Sequence, residues 1–314
     1  MITTVTLNAA IDKTYYLPRF PLGHVSRVNN LYAEPGGKGI NVARVVHQLG
    51  CPVVATGFLG GSNGDWIRKG LDRQGLRHDF VSVEGESRLC LNMIDEATGV
   101  STEVLEPGPV ISAKEMSRLA DTVYRLACRS SVVCFSGSLP RGVPDDYYAQ
   151  LITLAKAAGA LAFLDTSGSA LRHAVDAAPY FIKPNEDEMA QLTGQAREAG
   201  APWAAEDTQL DTLHEKGIEL ISVTLGAKGS HSSYGGKRYT ALSPQVQPVN
   251  TVGCGDAYTA GMAVATLRKQ PLEACLAYAA AAGSANALTA RAGYVDPQDV
   301  EQLLGQVVVR EEPH

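Results

Sequence analysis

The stretch SVVCFSGSLPRGVPDDYYAQLITLAKAAGALAFLD, residues 131–165, decides the fold. A short β-branched run at 131–135 precedes a helical pattern at 144–158, and a second apolar run follows at 161–165. Both runs are apolar at consecutive positions, which is typical of strands buried on both faces. Strands joined through a helix usually run parallel. The segment therefore predicts a strand–helix–strand unit of a parallel sheet.

The same alternation continues in both directions along the chain. Further strand-like runs cover 2–7, 53–58, 180–182 and 220–224, and helical patterns cover 40–49, 66–74, 113–128, 186–193, 256–267 and 272–289. Two segments, at about 13–33 and 88–106, show period-two alternation with turn residues instead. We predict one α/β domain over residues 1–314, with a mostly parallel sheet, helices on both faces and a small inserted antiparallel sheet.

Composition limits the classes of partner. The 314 residues carry 27 basic and 33 acidic side chains, a formal charge of −6, which argues against nucleic acid or an anionic membrane as the main partner. No apolar run approaches the ~20 residues of a membrane span, and the opening MITT lacks the basic start of a signal peptide. The six cysteines form no Cys-x-x-Cys pair, which indicates free thiols in a reducing compartment. We expect a soluble, cytoplasmic protein.

The strongest motif is NTVGCGDAY at 250–258, which opens a helical run. Two glycines before a helix let the backbone turn so that its amides point at one place, and these amides with the helix dipole make an anion site. A carboxylate in the first turn, Asp256, is suited to take the proton of an attacking hydroxyl. A helix-capping Asp after a glycine turn is the alternative interpretation, and the motif alone leaves both open.

A second glycine loop, PGGKGINVA at 35–43, also opens a helix. Its amides and Lys38 are suited to hold the hydroxyls or the phosphate of a sugar. It is not a Walker A loop, because Lys38 is followed by Gly39 rather than Ser or Thr, and no Rossmann fingerprint follows the first strand. A tight strand-to-helix turn explains the three glycines equally well.

Two further motifs have both a functional and a structural interpretation. In KPNEDE at 183–188, Asn185 and Glu188 share one face of a first helical turn and suit hydrated Mg²⁺, but a solvated acidic helix start is the favoured alternative for this motif alone. In VTLGAKG at 223–229, a strand runs into a glycine turn that gives adenine and ribose access to the backbone. An ordinary hairpin turn is the alternative.

Basic residues indicate how a substrate phosphate is held. Lys38, Arg88 and Arg27 are the candidates, since an arginine fork suits a phosphate, although a lone Arg on a strand is more often a solvated edge residue. SGSLP at 136–140 follows a central strand, where open α/β sheets usually present ligand-binding loops.

Together, and in this order, the motifs resemble the phosphofructokinase B branch of the ribokinase-like sugar kinases, from residue 6 to about 296. The matching stretches are LNAAID (7–12), GGKGIN (36–41), SGSLP (136–140), KPN (183–185) with Glu188, TLG (224–226) and residues 251–256. GGKG (36–39), EVLEPGP (103–109) and DYYAQL (146–151) resemble the tagatose-6-phosphate kinase and 1-phosphofructokinase group of that family. The resemblance implies a ribokinase-like three-layer α/β/α sandwich in which the inserted strands form a lid.

The resemblance also implies an activity: ATP-dependent transfer of the γ-phosphoryl group to a hydroxyl of a ketohexose phosphate, giving a bisphosphate. Tagatose 6-phosphate, fructose 1-phosphate and fructose 6-phosphate all remain candidate substrates. The implied residues are, for catalysis, Asp256 as the base with the amides of Gly253, Cys254 and Gly255; for the sugar, Asp12, Gly36, Gly37, Asn41 and Ser138; for its phosphate, Arg27, Lys38 and Arg88; for ATP, Lys183, Asn185, Thr224, Gly226, Gly229 and Ser284; and for Mg²⁺ through water, Asn185 and Glu188.

Several expectations remain open at this level. Relatives pair through the lid, which implies a homodimer. Relatives usually have Ala or Ser where Cys254 stands, so we expect a thiol that narrows the anion site and makes the activity sensitive to thiol reagents. Activation by K⁺ is left open, because residues 289–293 do not clearly repeat the usual pattern. A kinase of an unphosphorylated sugar or nucleoside and a catalytically silent sugar-binding regulator are the alternative functions.

Overall fold

A computed structural model describes residues 1–194 and 207–312. Its strands are β1 Ile2–Thr6, β2 Ala10–Leu17, β3 Asn30–Gly36, β4 Val53–Gly60, β5 His78–Val83, β6 Arg88–Asp95, β7 Ser101–Leu105, β8 Val132–Ser136, β9 Leu161–Asp165, β10 Phe181–Ile182, β11 Leu220–Thr224, β12 Ser230–Tyr234, β13 Lys237–Leu242 and β14 Val308–Glu311. Its helices are α1 Lys38–Gln48, α2 Gly61–Arg73, α3 Ala113–Ala127, α4 Tyr147–Ala157, α5 Gly168–Ala174, α6 Glu186–Thr193, α7 Asp207–Glu215, α8 Cys254–Leu267, α9 Leu272–Ala287 and α10 Pro297–Leu304.

The main sheet has the order β14-β13-β12-β11-β10-β9-β8-β1-β4-β5 in the described part of the chain. The strands from β11 to β5 run parallel, whereas β12, β13 and β14 extend the sheet by antiparallel pairing. Parallel strands present their carboxyl ends at one edge, so the loops after β1, β8, β9, β10 and β11 converge there. Every strand predicted for the main sheet is confirmed, with ends that differ by at most two residues.

Successive strand residues pack into two separate apolar cores, one on each face of the main sheet. Cys134 and Phe163 lie in the core beneath α1, α8, α9 and α10, while Val133 and Leu164 lie in the opposite core beneath α3, α4 and α5. Side chains on a strand alternate between faces, so a run that is apolar at every position fills both cores. The three-layer arrangement follows directly from that pattern.

The predicted helices are confirmed, but α2 begins at Gly61 rather than at 66. Its first turn contains Gly61, Asn63 and Gly64, which are poor helix formers. Glu86, from the connection after β5, accepts hydrogen bonds from the Asn63 amide and the Ser62 hydroxyl. This tertiary contact supports a helix start that local propensity does not predict. None of the helices described is both long and apolar enough to cross a membrane.

A second sheet, of order β3-β2-β6-β7, is built from the two segments with period-two alternation. We call it the lid sheet. Its β2–β3 and β6–β7 pairs are antiparallel, but its central pair, β2–β6, is parallel, so the prediction of an antiparallel insert is wrong at that pair. β2 and β6 each leave the same edge of the main sheet, directly after the parallel strands β1 and β5, and therefore enter the lid sheet in the same direction. The single-domain assignment stays a prediction.

Candidate active site

A cleft of about 650 Å³ lies where the carboxyl edge of the main sheet faces the lid sheet. It collects residues from motifs far apart in the chain. The predicted site residues that line it are Asp12, Gly37, Lys38, Asn41, Arg88, Ser138, Lys183, Asn185, Glu188, Thr224, Gly226, Gly253, Gly255 and Asp256.

The N-terminus of α8 opens into this cleft. Gly253 precedes the helix with φ +87°, and a Cβ there would lie 2.6 Å from the Gly293 nitrogen, so only glycine fits. The Ala257 amide donates to the Gly253 carbonyl at 2.9 Å, which starts the helical hydrogen bonding. Among the described residues, no side chain caps the helix. The first-turn amides and the positive end of the helix dipole are thus available to an anion.

Asp256, in the first turn of α8, is buried, and its Oδ2 accepts a hydrogen bond of 2.9 Å from Asn41 Nδ2. Burial raises the pKa of Asp256 to about 7. Attraction to Lys38 lowers that pKa and repulsion from Asp165 raises it. Efficient general bases have pKa values near the working pH, so this carboxylate suits proton abstraction near neutrality.

Asp165, at the end of β9, is a site residue that sequence reasoning missed. Its carboxylate is fully buried between two lysines, with Lys38 Nζ at 3.0 Å and Lys183 Nζ at 3.4 Å. Burial would raise the pKa of Asp165, but the two lysines together hold it below its ordinary value. The available signal was an acidic residue at the carboxyl end of a central strand, directly beside the loop after β8.

The two buried carboxylates therefore differ in charge state. Asp165 stays ionised between its lysines, while Asp256 titrates close to neutral pH. Burial alone would lower the pKa of Lys38, but attraction to Asp165, Asp256 and Glu188 raises it, so Lys38 remains a cation. Environments that push two neighbouring carboxylates apart in pKa assign the titrating one to proton transfer. The arrangement can hold a phosphoryl group next to lysines and amides while Asp256 takes a proton.

Opposite α8, Asp12 of β2 projects over the backbone of β3. A Cβ on Gly36 would lie 2.0 Å from Asp12 Oδ2. A side chain at position 36 would therefore collide with the Asp12 carboxylate, and glycine avoids this clash. The Gly37 amide donates to Asp12 Oδ2 at 3.4 Å. Burial raises the pKa of Asp12 to about 6, although that hydrogen bond and the charges of Arg44 and Arg88 lower it. A carboxylate placed in this way suits a hydrogen bond from a sugar hydroxyl.

Arg88 lines the cleft from the first residue of β6, and its side chain is fastened to the backbone. Its Nε donates to the Asn8 carbonyl at 3.1 Å and Nη1 to the Glu106 carbonyl at 3.2 Å. The side-chain Nδ2 of Asn8 also donates to Ser138 Oγ at 3.3 Å. Arg27 does not line the cleft of its own chain, because it lies in the exposed segment between β2 and β3.

A second cavity, of about 270 Å³, adjoins the cleft and has a largely apolar lining. Thr224, Gly226 and Gly255 line both cavities, which joins them at the start of α8. Gly229 and Ser284 line the second cavity only. The predicted glycine turn is indeed a hairpin, between β11 and β12, so the structural interpretation is correct and the turn also forms a cavity wall. An apolar slot leading to an anion site suits a nucleotide base followed by its phosphates.

Cys254 lines this second cavity and not the cleft. Asn286 Nδ2 lies 3.5 Å from its sulfur, in hydrogen-bond contact. Burial raises the pKa of the thiol, which disfavours the reactive thiolate. The thiol therefore does not narrow the cleft that Asp256 lines, and its raised pKa argues against strong sensitivity to thiol reagents, while narrowing of the anion site from the second cavity stays a prediction. The rotation of the first turn of α8, which sequence does not show, directs Cys254 and Asp256 to different cavities.

Comparison with known proteins gives the family. A model described as pfkB family carbohydrate kinase matches residues 5–299. The chain is also 36% identical over 313 residues to a tagatose-6-phosphate kinase of Staphylococcus epidermidis, covering 99% of this chain and 100% of the relative. The chain belongs to the pfkB family of carbohydrate kinases.

Solved structures agree with this membership. The structure of phosphofructokinase-2 from Escherichia coli in complex with potassium matches this chain with TM-score 0.88 at 26% identity. The match covers 97% of this chain and 98% of the phosphofructokinase-2 chain. Its tetrameric inhibited form matches with TM-score 0.86 at the same identity and coverage. Ribokinase of Arabidopsis thaliana complexed with ribose and ATP matches with TM-score 0.75 at 24% identity, covering 96% and 98%, which shows the fold alone. The ribokinase-like fold predicted from the motifs is confirmed.

Asn185 and Glu188 of the kinase form a reciprocal cap on α6. Asn185 Oδ1 accepts from the Glu188 amide at 2.8 Å, and Glu188 Oε2 accepts from the Asn185 amide at 2.8 Å. The pattern Asn-x-x-Glu signals this capping box, which the metal interpretation overlooked. Both residues nevertheless line the cleft, and Glu188 Oε1 takes no part in the box. A carboxylate oxygen with room for water fits Mg²⁺, which usually keeps most of its water ligands.

Residues 289–293, which leave K⁺ activation open in the sequence, fold back onto α9. The Gly293 amide donates to Asn286 Oδ1 at 2.8 Å, and the Thr289 hydroxyl donates to the Arg291 carbonyl at 2.8 Å. Asn286 Nδ2 also donates to the Val252 carbonyl at 2.9 Å. Asn286 therefore ties this segment to the loop that precedes α8.

Proposed function

We propose that this kinase catalyses the ATP-dependent phosphorylation of a ketohexose phosphate to a bisphosphate. One observation carries the proposal: Asp256, held by Asn41, lies at an N-terminus of α8 that the described side chains leave uncapped, between a polar cleft and an apolar slot. The sugar would occupy the cleft, the adenine the slot, and the phosphate chain would pass Thr224, Gly226 and Gly255.

In the proposed reaction, Asp256 takes the proton of the acceptor hydroxyl as its oxygen bonds to the γ-phosphorus. The bond from that phosphorus to the β,γ-bridging oxygen breaks and ADP leaves, after which Asp256 returns its proton to water. Lys38, Lys183 and the first amides of α8 would neutralise the transferring group. The Lys183 Nζ would lie 3.2 Å from a Cβ at Gly255, which supports its place next to those amides. Asp165 keeps both lysines in position through its ion pairs.

ATP and Mg²⁺ are the cofactors of the proposal. Glu188 and Asn185 would hold the metal through water, and Mg²⁺ supplies charge neutralisation for the phosphate oxygens when bound. Gly226, Gly229 and Ser284 would contact the nucleotide in the slot that they line.

Arg88 is the residue we assign to the phosphate already on the substrate. Lys38 and Asp12 line the same cleft, where the sugar would bind. An arginine whose Nε and Nη1 are fixed by carbonyls presents the rest of its fork in a defined direction. Tagatose 6-phosphate is the first candidate, because the relative that is 36% identical is a tagatose-6-phosphate kinase.

The test is release of ADP, in a coupled assay with Mg·ATP, across tagatose 6-phosphate, fructose 6-phosphate, fructose 1-phosphate and unphosphorylated tagatose. Asp256→Asn is expected to lower kcat by at least about 10³-fold while ATP still binds. Exposed Asp121 on α3 provides the matched control, Asp121→Asn. Arg88→Gln should raise KM for the phosphorylated sugars by about 10- to 100-fold and leave KM for ATP unchanged.

Three outcomes would contradict the proposal. An Asp256→Asn enzyme with kcat within about tenfold of wild type would remove the assigned base. Equal kcat/KM for tagatose and tagatose 6-phosphate, with no effect of Arg88→Gln, would favour a kinase of unphosphorylated sugars. Ligand-induced thermal stabilisation without ADP release from any substrate would favour a silent regulator.

We further propose a homodimer that forms through the lid sheet and its β2–β3 connection. Large apolar side chains are exposed there, with 88% exposure at Leu22, 90% at Val25 and 58% at Leu105. Exposed apolar patches of this kind often mark interfaces between subunits. Light scattering should give twice the mass of the 33.2 kDa chain, and Val25→Glu should reduce it to that of a monomer. A monomeric wild type would refute the dimer. We also propose a cytoplasmic location, which is expected from the free cysteines.

A further inference from the structure

Arg44, on α1, is an unusual arginine because only 2% of its surface is exposed. All of its nitrogens donate to named acceptors. Nε donates to Gln74 Oε1 at 3.1 Å, Nη1 to the Ala292 carbonyl at 3.2 Å, and Nη2 to the Pro35 carbonyl. Its guanidinium also lies over the Tyr294 ring, 4.8 Å from the centroid. The fork is therefore fixed from β3, the residue that follows α2, and the loop after α9.

The remaining contact of this fork leads to the catalytic centre. Arg44 Nη1 donates to Asn41 Oδ1 at 3.0 Å, and Asn41 Nδ2 donates to Asp256 Oδ2 at 2.9 Å. An asparagine amide can turn over and exchange its donor and acceptor ends, whereas a guanidinium can only donate. With Arg44 present, the Asn41 oxygen must face the guanidinium, so its NH₂ group must face Asp256.

We propose that Arg44 is a positioning residue of the reaction, which locks the Asn41 amide in the orientation that donates to Asp256. The inference rests on the proposed role of Asp256 as the base. A carboxylate that accepts a hydrogen bond is favoured in its ionised form, which is the form that abstracts a proton. A reversed amide would direct an oxygen at Asp256 and favour the protonated, inactive form.

Arg44 also faces Asp12 and Glu34, and changing it removes an attraction that lowers the pKa of Asp12, an effect that does not depend on Asn41. Lys38 on α1, Asp165 at the end of β9 and Lys183 after β10 all act on the pKa of Asp256, and the Cys254 thiol lies nearby on α8. Asp256 in turn stabilises the cationic form of Arg44, which adds a direct attraction between the two groups. Lysine at position 44 keeps this charge and can only donate, whereas glutamine loses the charge and can donate or accept.

The experiment is the pH dependence of kcat between about pH 5.5 and 9.5, at saturating ATP and sugar phosphate. The acid limb of the profile is the range in which kcat rises with pH as Asp256 ionises. In Arg44→Gln we expect this limb to move to higher pH by about one unit, because the hydrogen bond from Asn41 to the Asp256 carboxylate is weakened. The kcat should then be about tenfold lower at pH 6 and within about threefold of wild type at pH 9. Arg44→Lys should restore the limb to within about 0.3 unit of wild type.

Two further variants separate positioning from a general structural role. Arg68→Gln is the matched control, because half-buried Arg68 on α2 also donates to a carbonyl, that of Phe80, but does not line the cleft. Its acid limb should stay at the wild-type pH. Asn41→Ala should reproduce the shift of Arg44→Gln, and adding Arg44→Gln to Asn41→Ala should move the limb by less than about 0.3 unit further.

An unshifted acid limb in Arg44→Gln, or equal shifts in the presence and absence of Asn41, would overturn the inference. Should Arg44→Gln fail to fold, Arg44→Met takes its place, and an unshifted limb in Arg44→Met or in Asn41→Ala overturns the inference. Failure of the underlying proposal looks different, because Asp256→Asn would then remain active. An inactive Asp256→Asn with an unshifted Arg44→Gln would refute only the positioning role.

Discussion

Replacing Asp256 by asparagine is expected to stabilise the folded kinase at alkaline pH while it abolishes turnover. Burial raises the pKa of Asp256 from 3.8 to about 7, so the folded state favours the neutral acid. As the pH rises from about 4 to about 7, Asp256 ionises readily in the unfolded chain but only at a cost in its buried site. The free energy of unfolding of the wild type therefore falls over this pH range. The rise in pKa is about 3 units, which corresponds to about 4 kcal/mol above pH 7, as an upper limit.

Asparagine cannot ionise and still offers an oxygen to the Asn41 amide. The difference in free energy of unfolding between Asp256→Asn and wild type should therefore be small at pH 4, grow up to about pH 7 and then level off. For a chain of this length, 1 kcal/mol shifts Tm by about 2 °C, so Asp256→Asn should melt several degrees above wild type at pH 8. The pKa of Asp12 is also raised, but Asp12 titrates both in wild type and in Asp256→Asn. Its contribution therefore cancels in the difference in free energy of unfolding.

Differential scanning calorimetry at unit steps from pH 4 to 8 measures this difference. Exposed Asp121 again supplies the control, since Asp121→Asn should change Tm little and equally at every pH. A Tm difference for Asp256→Asn that does not vary with pH, or a variant less stable than wild type at pH 8, would refute the reasoning.

Three further changes test neighbouring parts of the site. Asp165→Asn leaves Lys38 and Lys183 without their buried counter-ion and should lower stability by about 3–5 kcal/mol at pH 7, a loss that an unchanged Tm would disprove. Gly253→Ala would place a Cβ 2.6 Å from the Gly293 nitrogen at φ +87° and should lower kcat by at least about 10²-fold. Its control is Gly305→Ala, at φ −66° with its nearest neighbour at 3.8 Å, and equal kcat values in the two variants would contradict this view of the α8 start. Cys254→Ala should keep kcat within about threefold and wild type should resist iodoacetamide at pH 7, whereas fast inactivation that Cys254→Ala prevents would show an accessible thiol.

Much of the fold could be predicted because local patterns of apolar and polar residues determine most of its strands and helices. Short runs such as 132–135 are apolar at every position, which is typical of a strand buried on both faces. The start of α2 was missed because Glu86, from outside the helix, supports a first turn of poor helix formers. The parallel β2–β6 pair was missed because strand direction depends on where two distant segments leave the main sheet.

The site was predictable where a glycine loop opens a helix, as at Gly253 and Gly37, since both backbone and chemistry show in the residue types. Contacts between distant segments were not. Asp165 gains its importance only from the lysines that β9 brings to it, and Arg44 from acceptors as far away as Ala292. The capping box of Asn185 and Glu188 was visible in the sequence, but the same two residues also suit a metal, and geometry was needed to show the cap.

The most direct test of the account is a crystal structure of the kinase with tagatose 6-phosphate, Mg²⁺ and a non-hydrolysable ATP analogue. We expect the acceptor hydroxyl within hydrogen-bond distance of an Asp256 carboxylate oxygen, and the γ-phosphate at the amides of Gly255 and Asp256. A γ-phosphate bound away from the start of α8, or an acceptor hydroxyl whose neighbouring base is another residue, would contradict the account.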